Sequence, residues 1–322
     1  MKISPEMLAI EAEETGFRPE MLEKVAHLLG LLESLRSHPF LKDKLVLKGG
    51  TALNLFVFDV PRLSVDIDLN YVGVEERDGM LAERPKVEQA VHAVFAREGF
   101  IVRRMPVEHA GGKWSLRYES ALGRSGNLEV DINYMFRLPL WPVTTCDSQP
   151  IGTRQATGIP LLDQHELAAG KLAALFARRQ ARDLFDSHRI LRMGNLDLPR
   201  LRIGFVVYGA MIRKDWRTIS VDDVDFEAME LVRQLVPTLR TNPAKTPSGS
   251  AEYGARLVRE CRESLTALLP FTDSEHHFLD LLLDRGVIDP TLLTADESLQ
   301  RRIRSQPLLE WKALNVRQHK GI

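Results

Sequence analysis

A glycine pair set between a short apolar strand and an apolar run, with two aspartates two residues apart just beyond it, leaves this chain few ways to fold. Leu45-Val46-Leu47 reads as a buried strand and Lys48-Gly49-Gly50-Thr51 as a tight turn. Residues 51–58 read as a helix that Pro61 ends, and 62–69 as a strand returning beside the first. Side chains alternate along a strand, so Asp66 and Asp68 share one face while Val65, Ile67 and Leu69 fill the other, as core packing requires. Two carboxylates so placed can grip a hard cation. A glycine turn lets backbone N–H groups, helped by the dipole of the following helix, approach phosphate oxygens. Taken singly, a Gly-Gly turn is common and an Asp-x-Asp pair is often a solvated face. Their order and separation make one phosphate-plus-metal arrangement, suited to a nucleoside triphosphate.

At 322 residues the chain is long enough to bury a large core and to divide into two domains. A formal net charge of −1 argues against a wholly electrostatic nucleic-acid binder and leaves room for a local basic groove. No stretch is apolar enough to span a membrane, and the N-terminus lacks a signal-peptide pattern. Cys146 and Cys261 are too few and too far apart for a disulfide framework or a zinc site, so a cytoplasmic setting is expected.

Apolar residues at helical spacing predict a helix over 19–37, and a second amphipathic helix is expected over 86–98. Three strands are expected at 100–106, 113–119 and 127–136, separated by glycine-containing turns. In the last of these, Glu129, Asp131 and Asn133 share a face. Asp131 would stand beside Asp66 and Asp68 if the two strands were neighbours; otherwise it lines a solvated face. The mixture of strands and helices predicts an α+β catalytic domain, with a mainly helical region beyond residue 159. A mobile loop is expected at 241–250 and a frayed C-terminus at 315–322.

Residues 171–189 read as one long helix whose Lys171, Arg178, Arg182, Asp186 and Arg189 fall in a stripe. Leu172, Phe176, Ala177, Leu184 and Ile190 fall opposite, and Asp183 lies toward this apolar side, where it should be buried and paired. A solvated helix with charge pairs between turns explains the stripe. So does a helix on which Lys171 reaches triphosphate oxygens, Asp186 orients it, and Arg178 and Arg182 bind phosphates. Spacing leaves both open. Further basic residues (Arg179, Arg192, Arg213, Lys214, Arg217) could track an RNA backbone, with Trp216 or Tyr208 stacking on a base. His165, His188, His276 and His277 show no metal-site spacing and read as structural.

Taken together, the sequence resembles the AbiEii-like nucleotidyltransferase toxins, which include the mycobacterial MenT enzymes, within the polymerase-β-like nucleotidyltransferase superfamily. The likeness rests on Gly49-Gly50-Thr51-Ala52-Leu53, on Arg62-x-Ser64-x-Asp66-x-Asp68, and on Lys171, Arg178 and Arg182-Asp183-x-x-Asp186, and covers about residues 45–190. It implies a nucleotidyltransferase domain with a mixed sheet over 1–155. A helical domain over 156–322 would contribute Lys171 and Asp186 to a cleft between the two lobes. In the family, the residues at the positions of Ser64, Asp66, Lys171 and Asp186 are tied to activity. The expected reaction moves NMP from an NTP to an RNA acceptor, the 3′ end of tRNA first among them. Asp66 and Asp68 would hold Mg²⁺ or Mn²⁺, with Asp131 completing a second metal position. Lys48, Gly49, Gly50, Thr51 and Ser64 would bind phosphates, as would Arg178 and Arg182. Lys171 would neutralise the departing pyrophosphate. A cognate antitoxin is the implied partner, and no membrane is. The alternatives are a protein or small-molecule acceptor, or a nucleotide-binding regulator without turnover.

Overall fold

Local chemistry sets where the helices begin and end. In the computed structural model, which describes residues 3–106, 110–240 and 249–321, α1 (Pro5–Thr15) opens on the Ser4 hydroxyl, which accepts from the Met7 N–H, and stops at a left-handed Gly16. α2 (Pro19–Ser37) has proline at its first position and buries Leu22, Val25, Leu28, Leu29, Leu32 and Leu35. β1 (Leu45–Lys48) then leads into the glycine turn.

The expected helix over 51–58 takes another form. A single α-turn, α3 (Gly49–Thr51), widens into a π-turn over Ala52–Val57, closed by the Phe58 N–H donating to the Leu53 carbonyl at 2.8 Å. Asn54 Nδ2 donates to the Gly50 carbonyl at 2.9 Å, giving that carbonyl the donor that a backbone N–H of the α-ladder would otherwise supply. The region is buried on nearly every side through Ala52, Leu53, Leu55 and Phe56.

β2 (Asp66–Tyr71) follows, then α4 (Arg77–Arg97), β3 (Ile101–Arg104), β4 (Gly111–Glu119) and β5 (Ser125–Asn133). α4 begins nine residues before the expected start and runs through Pro85. Contacts hold the turns that proline would weaken: Glu83 accepts from Lys44 at 2.8 Å and from the Tyr71 hydroxyl, outside the helix, and within it Arg84 pairs with Glu88 one turn on at 2.6 Å. Two short strands, β6 (Thr144–Cys146) and β7 (Ile159–Leu161), carry no signal strong enough to be seen in the sequence.

The described residues divide into two compact units. The first comprises Met1–Arg137, Val143–Leu162 and Pro237–Thr246. Its mixed sheet runs in the order β3-β4-β5-β2-β1-β7-β6, with β2 parallel to β5 and β1 parallel to β7. One face carries Ile67, Leu69, Trp114, Leu116 and Val130, and Phe95 of α4 meets the Trp114 ring edge-on at 5.5 Å. Val65 stands outside the strand and is only half-buried.

The second unit comprises Leu138–Pro142, Asp163–Val236 and Pro247–Ile322, and is helical. It holds α5 (Gln164–Arg178), α6 (Ala181–Leu191), α7 (Leu198–Met211), a single turn α8 (Ala228–Glu230), α9 (Ser250–Leu265), α10 (Asp273–Arg285), α11 (Glu297–Arg304) and α12 (Pro307–Lys320). Phe176, Phe205 and Trp216 form an aromatic core, with ring centroids 5.0 to 5.9 Å apart. Residues 241–248 of the expected loop lie outside the described residues. The C-terminus is helical to Lys320 where fraying was expected, because Arg317 donates to the Gly286 carbonyl and Lys312 to the Ala210 and Ile212 carbonyls. The α+β architecture is the one the strand and helix patterns predict. Among the described residues no helix is long and apolar enough to cross a membrane.

Candidate active site

Strand register assembles the site in the first unit. Because β2 and β5 run parallel and adjacent, Asp66 stands opposite Glu129 and Asp68 opposite Asp131. The same cross-strand row continues on both sides, with Lys48 of β1 opposite Asp68 and Lys113 of β4 opposite Asp131. Lys48, Asp68, Asp131 and Lys113 therefore form one row across four strands, a cation at each end and two carboxylates between. Asp66 and Glu129 stand in the next row. The apolar alternates Ile67, Leu69 and Val130 are buried, so core packing fixes which way the carboxylates point.

The glycine turn is fitted to this face. Gly49 has φ +74°, a backbone that favours glycine, and a Cβ there would overlap the Asp68 carboxylate. Thr51 is fully buried and its hydroxyl donates to the Asp66 carbonyl. Its side chain thus ties the turn to β2, and a contact with phosphate would require breaking that bond. Gly50 is buried, and its carbonyl is taken by Asn54. Lys48 holds its ammonium 5.5 Å from the Phe136 ring centre. Ser64, 7% exposed, lies in the segment entering β2. That segment is pinned by the Leu63 N–H donating to the Thr238 carbonyl and by Arg62 donating to the Leu63 carbonyl.

Lys113 was not anticipated. Its Nζ lies 2.8 Å from the Glu129 carboxylate, which raises the ammonium pKa, and the charges of Asp66 and Asp68 act in the same direction. The period-two pattern around the buried Trp114 places Lys113 on a face. Only the pairing of β4 with β5 reveals that this face is the one bearing the carboxylates.

The oxygen donors suit a hard divalent cation. Among the described residues, no three His, Cys, Asp or Glu side chains are gathered to hold a metal ion by themselves.

The second unit holds the other predicted residues. The expected single helix over 171–189 is broken. α5 ends at Arg178, Arg179 adopts a left-handed conformation (φ 55°), and α6 starts at Ala181. The break lets the two helices face each other, so Lys171 of α5 reaches Asp183 at 2.8 Å and Asp186 at 3.1 Å on α6. Both aspartates are buried, and Arg178 also contacts Asp183 at 3.1 Å. The stripe expected of one continuous helix therefore dissolves, and Asp186 lies in the interior rather than on a cationic surface. Leu172, Phe176, Leu184 and Ile190 are buried as expected, whereas Ala177 at the end of α5 is exposed. Arg182 is half-buried at the start of α6.

Of the supposed RNA-tracking cations, Arg217 is held by three carboxylates, Asp215, Asp280 and Asp284. Lys214 contacts Asp223 and Arg192 contacts Glu260 in single pairs nearer the surface, which hold weakly in water. Trp216 is fully buried and cannot stack on a base, and the Tyr208 hydroxyl donates to Glu166 at 2.8 Å. His165 bridges Asp163 and the Asp197 N–H, and His188 pairs with Glu260. A second unanticipated residue is Glu166, which also accepts from the Leu140 N–H at 3.0 Å; burial pushes its pKa up to about 7.

The family described as "Nucleotidyl transferase AbiEii toxin, Type IV TA system" matches residues 30–311. The solved structure of MenT4, a nucleotidyltransferase toxin from Mycobacterium tuberculosis H37Rv, aligns with a TM-score of 0.62 at 18% identity, covering 94% of this chain and 98% of that one. At that identity the likeness is one of fold. No curated protein matches the sequence.

Proposed function

The chain belongs to the AbiEii nucleotidyltransferase toxin family, and from that premise we propose that it transfers NMP from an NTP to an RNA acceptor, the 3′ end of tRNA. The observation that supports nucleotidyl transfer is the β2–β5 register, which sets Asp131 opposite Asp68 beside a glycine turn closed against the same carboxylate; the RNA acceptor rests on the family resemblance. A divalent cation, Mg²⁺ or Mn²⁺, held by Asp66 and Asp68 with Asp131 beside them, would neutralise the triphosphate and make its α-phosphorus more electrophilic. The backbone of Gly49 and Gly50, the Ser64 hydroxyl and the Lys48 ammonium bind phosphate oxygens. Thr51 keeps the turn against β2. The acceptor hydroxyl forms its bond to the α-phosphorus as the bond to the β-phosphate bridge breaks, and pyrophosphate leaves while the hydroxyl proton passes to solvent. The protein's part is positioning and fixed charge.

Lys171, Asp186, Arg178 and Arg182 are assigned a part in turnover on the family's residue pattern alone. Asp183 and Asp186 hold the Lys171 ammonium in one orientation. The toxin family implies a cognate antitoxin as protein partner.

The test combines purified protein, Mg²⁺ and total cellular RNA with each α-³²P-labelled NTP in turn, alongside Asp66→Ala. Label in a tRNA-sized band, absent with the variant, is the expected result. Label moving to protein or to a small molecule would replace the RNA acceptor and keep the nucleotidyltransferase. No label in any acceptor, from protein that binds NTP, would reject turnover.

A further inference from the structure

We propose that Lys113 is a phosphate ligand of the bound nucleotide, reaching from β4 over the carboxylate row; this rests on the nucleotidyltransferase reading of Asp66 and Asp68. Trp114 and Leu116 are fully buried, so alternation turns Lys113 and Ser115 to the opposite face of the sheet. Register then puts Lys113 opposite Asp131, one strand beyond Asp68. Adjacent strands lie about 4.8 Å apart, so a flexible four-carbon stem on β4 can lean over β5 toward a phosphate held beside β2.

The present partner of Lys113 does not commit it. The Lys113–Glu129 contact measures 2.8 Å, but the two side chains are 57% and 48% exposed, and pairs of this kind hold weakly in water. On the strands β1, β2, β5 and β4, the Asp68 and Asp66 rows carry four carboxylates (Asp66, Asp68, Glu129, Asp131) against the ammoniums of Lys48 and Lys113, with Arg104 of β3 one strand farther out, opposite Ser115. A triphosphate brings more negative charge than one divalent cation offsets. Lys48 flanks the carboxylates on the β1 side, and Lys113 is the cation placed to meet a phosphate from the β4 side. A compact ammonium suits that task without needing the planar geometry of an arginine. The plainer account is that Lys113 only neutralises Glu129. The two differ in what loss of Glu129 does.

Calorimetric titration of the full chain with α,β-methylene analogues of the four NTPs, in Mg²⁺, separates them. Lys113→Met is expected to weaken analogue binding about tenfold, with Lys113→Arg recovering part of the loss. Glu129→Gln should bind no more weakly than wild type, and nucleosides lacking phosphate should bind Lys113→Met and wild type alike. Equal weakening in Lys113→Met and Glu129→Gln, or no weakening in Lys113→Met, overturns the assignment while the parent reading stands. Wild type that binds none of the analogues overturns both. Circular dichroism of each variant identifies any loss that comes from misfolding.

Discussion

Replacing Gly49 with alanine tests the coupling between the glycine turn and the carboxylate row. Gly49 sits at φ +74°, where a side chain costs about 1–2 kcal/mol. An added Cβ would also overlap Asp68 Oδ2 and lie 3.1 Å from the Asp68 Cβ and Cγ, so the aspartate must move. Gly99 provides an internal control: its φ is +82°, yet nothing lies within 4 Å of an added Cβ. Gly99→Ala should therefore show the backbone cost alone, a fall in Tm of roughly 2–8 °C, with nucleotidyl transfer intact. Gly49→Ala should lose at least as much stability and should also lose transfer, because displacing Asp68 disturbs the proposed cation site. Thermal unfolding and the labelled-NTP assay, run on both variants, give the two numbers. If Gly49→Ala unfolds with Gly99→Ala and transfers at the wild-type rate, Asp68 does not depend on the turn and the site geometry argued above is wrong.

Three further outcomes follow from buried groups in the second unit. The Glu166 pKa is raised by burial from 4.5 to about 7, so its protonated form is favoured in the fold and its contribution, on the order of 3 kcal/mol, is complete below about pH 4.5 and is lost as pH rises to 7. Glu166→Gln should flatten the denaturation midpoint across that window, and an unchanged pH slope would refute the assignment. Lys171→Met removes the ammonium between the buried Asp183 and Asp186, leaving Asp183 its contact with Arg178, and should cost roughly 3–5 kcal/mol in chemical denaturation. Adding Asp186→Asn should restore part of that stability without restoring transfer; a double variant no more stable than the single would show that the pair is not coupled. Trp216→Ala should cost roughly 3–5 kcal/mol, because its ring fills the core against Phe176 and Phe205. A loss of RNA binding at unchanged stability would instead reinstate Trp216 as a base-stacking residue.

Alternation alone put Asp66 and Asp68 on one face and Ile67 and Leu69 on the other, since the strand period admits no other arrangement. The α+β class, the α2 helix and the burial of Asp183 were legible for the same reason: each is written in local periodicity. What the sequence left open was which strand lies beside which. Parallel pairing of β2 with β5 joins segments about sixty residues apart, and that pairing brings Asp131 and Lys113 to the carboxylates. The break at Arg179 was equally hidden, because Lys171 to Arg189 keeps a helical pattern across it. It is the contact of Lys171 with Asp183 and Asp186 across the folded-back helices that uses the turn. Trp216 and the paired arginines make the same point. A sequence shows that a side chain is cationic or aromatic, but its partners arrive from distant helices, and only packing decides whether its charge or ring remains available to a ligand.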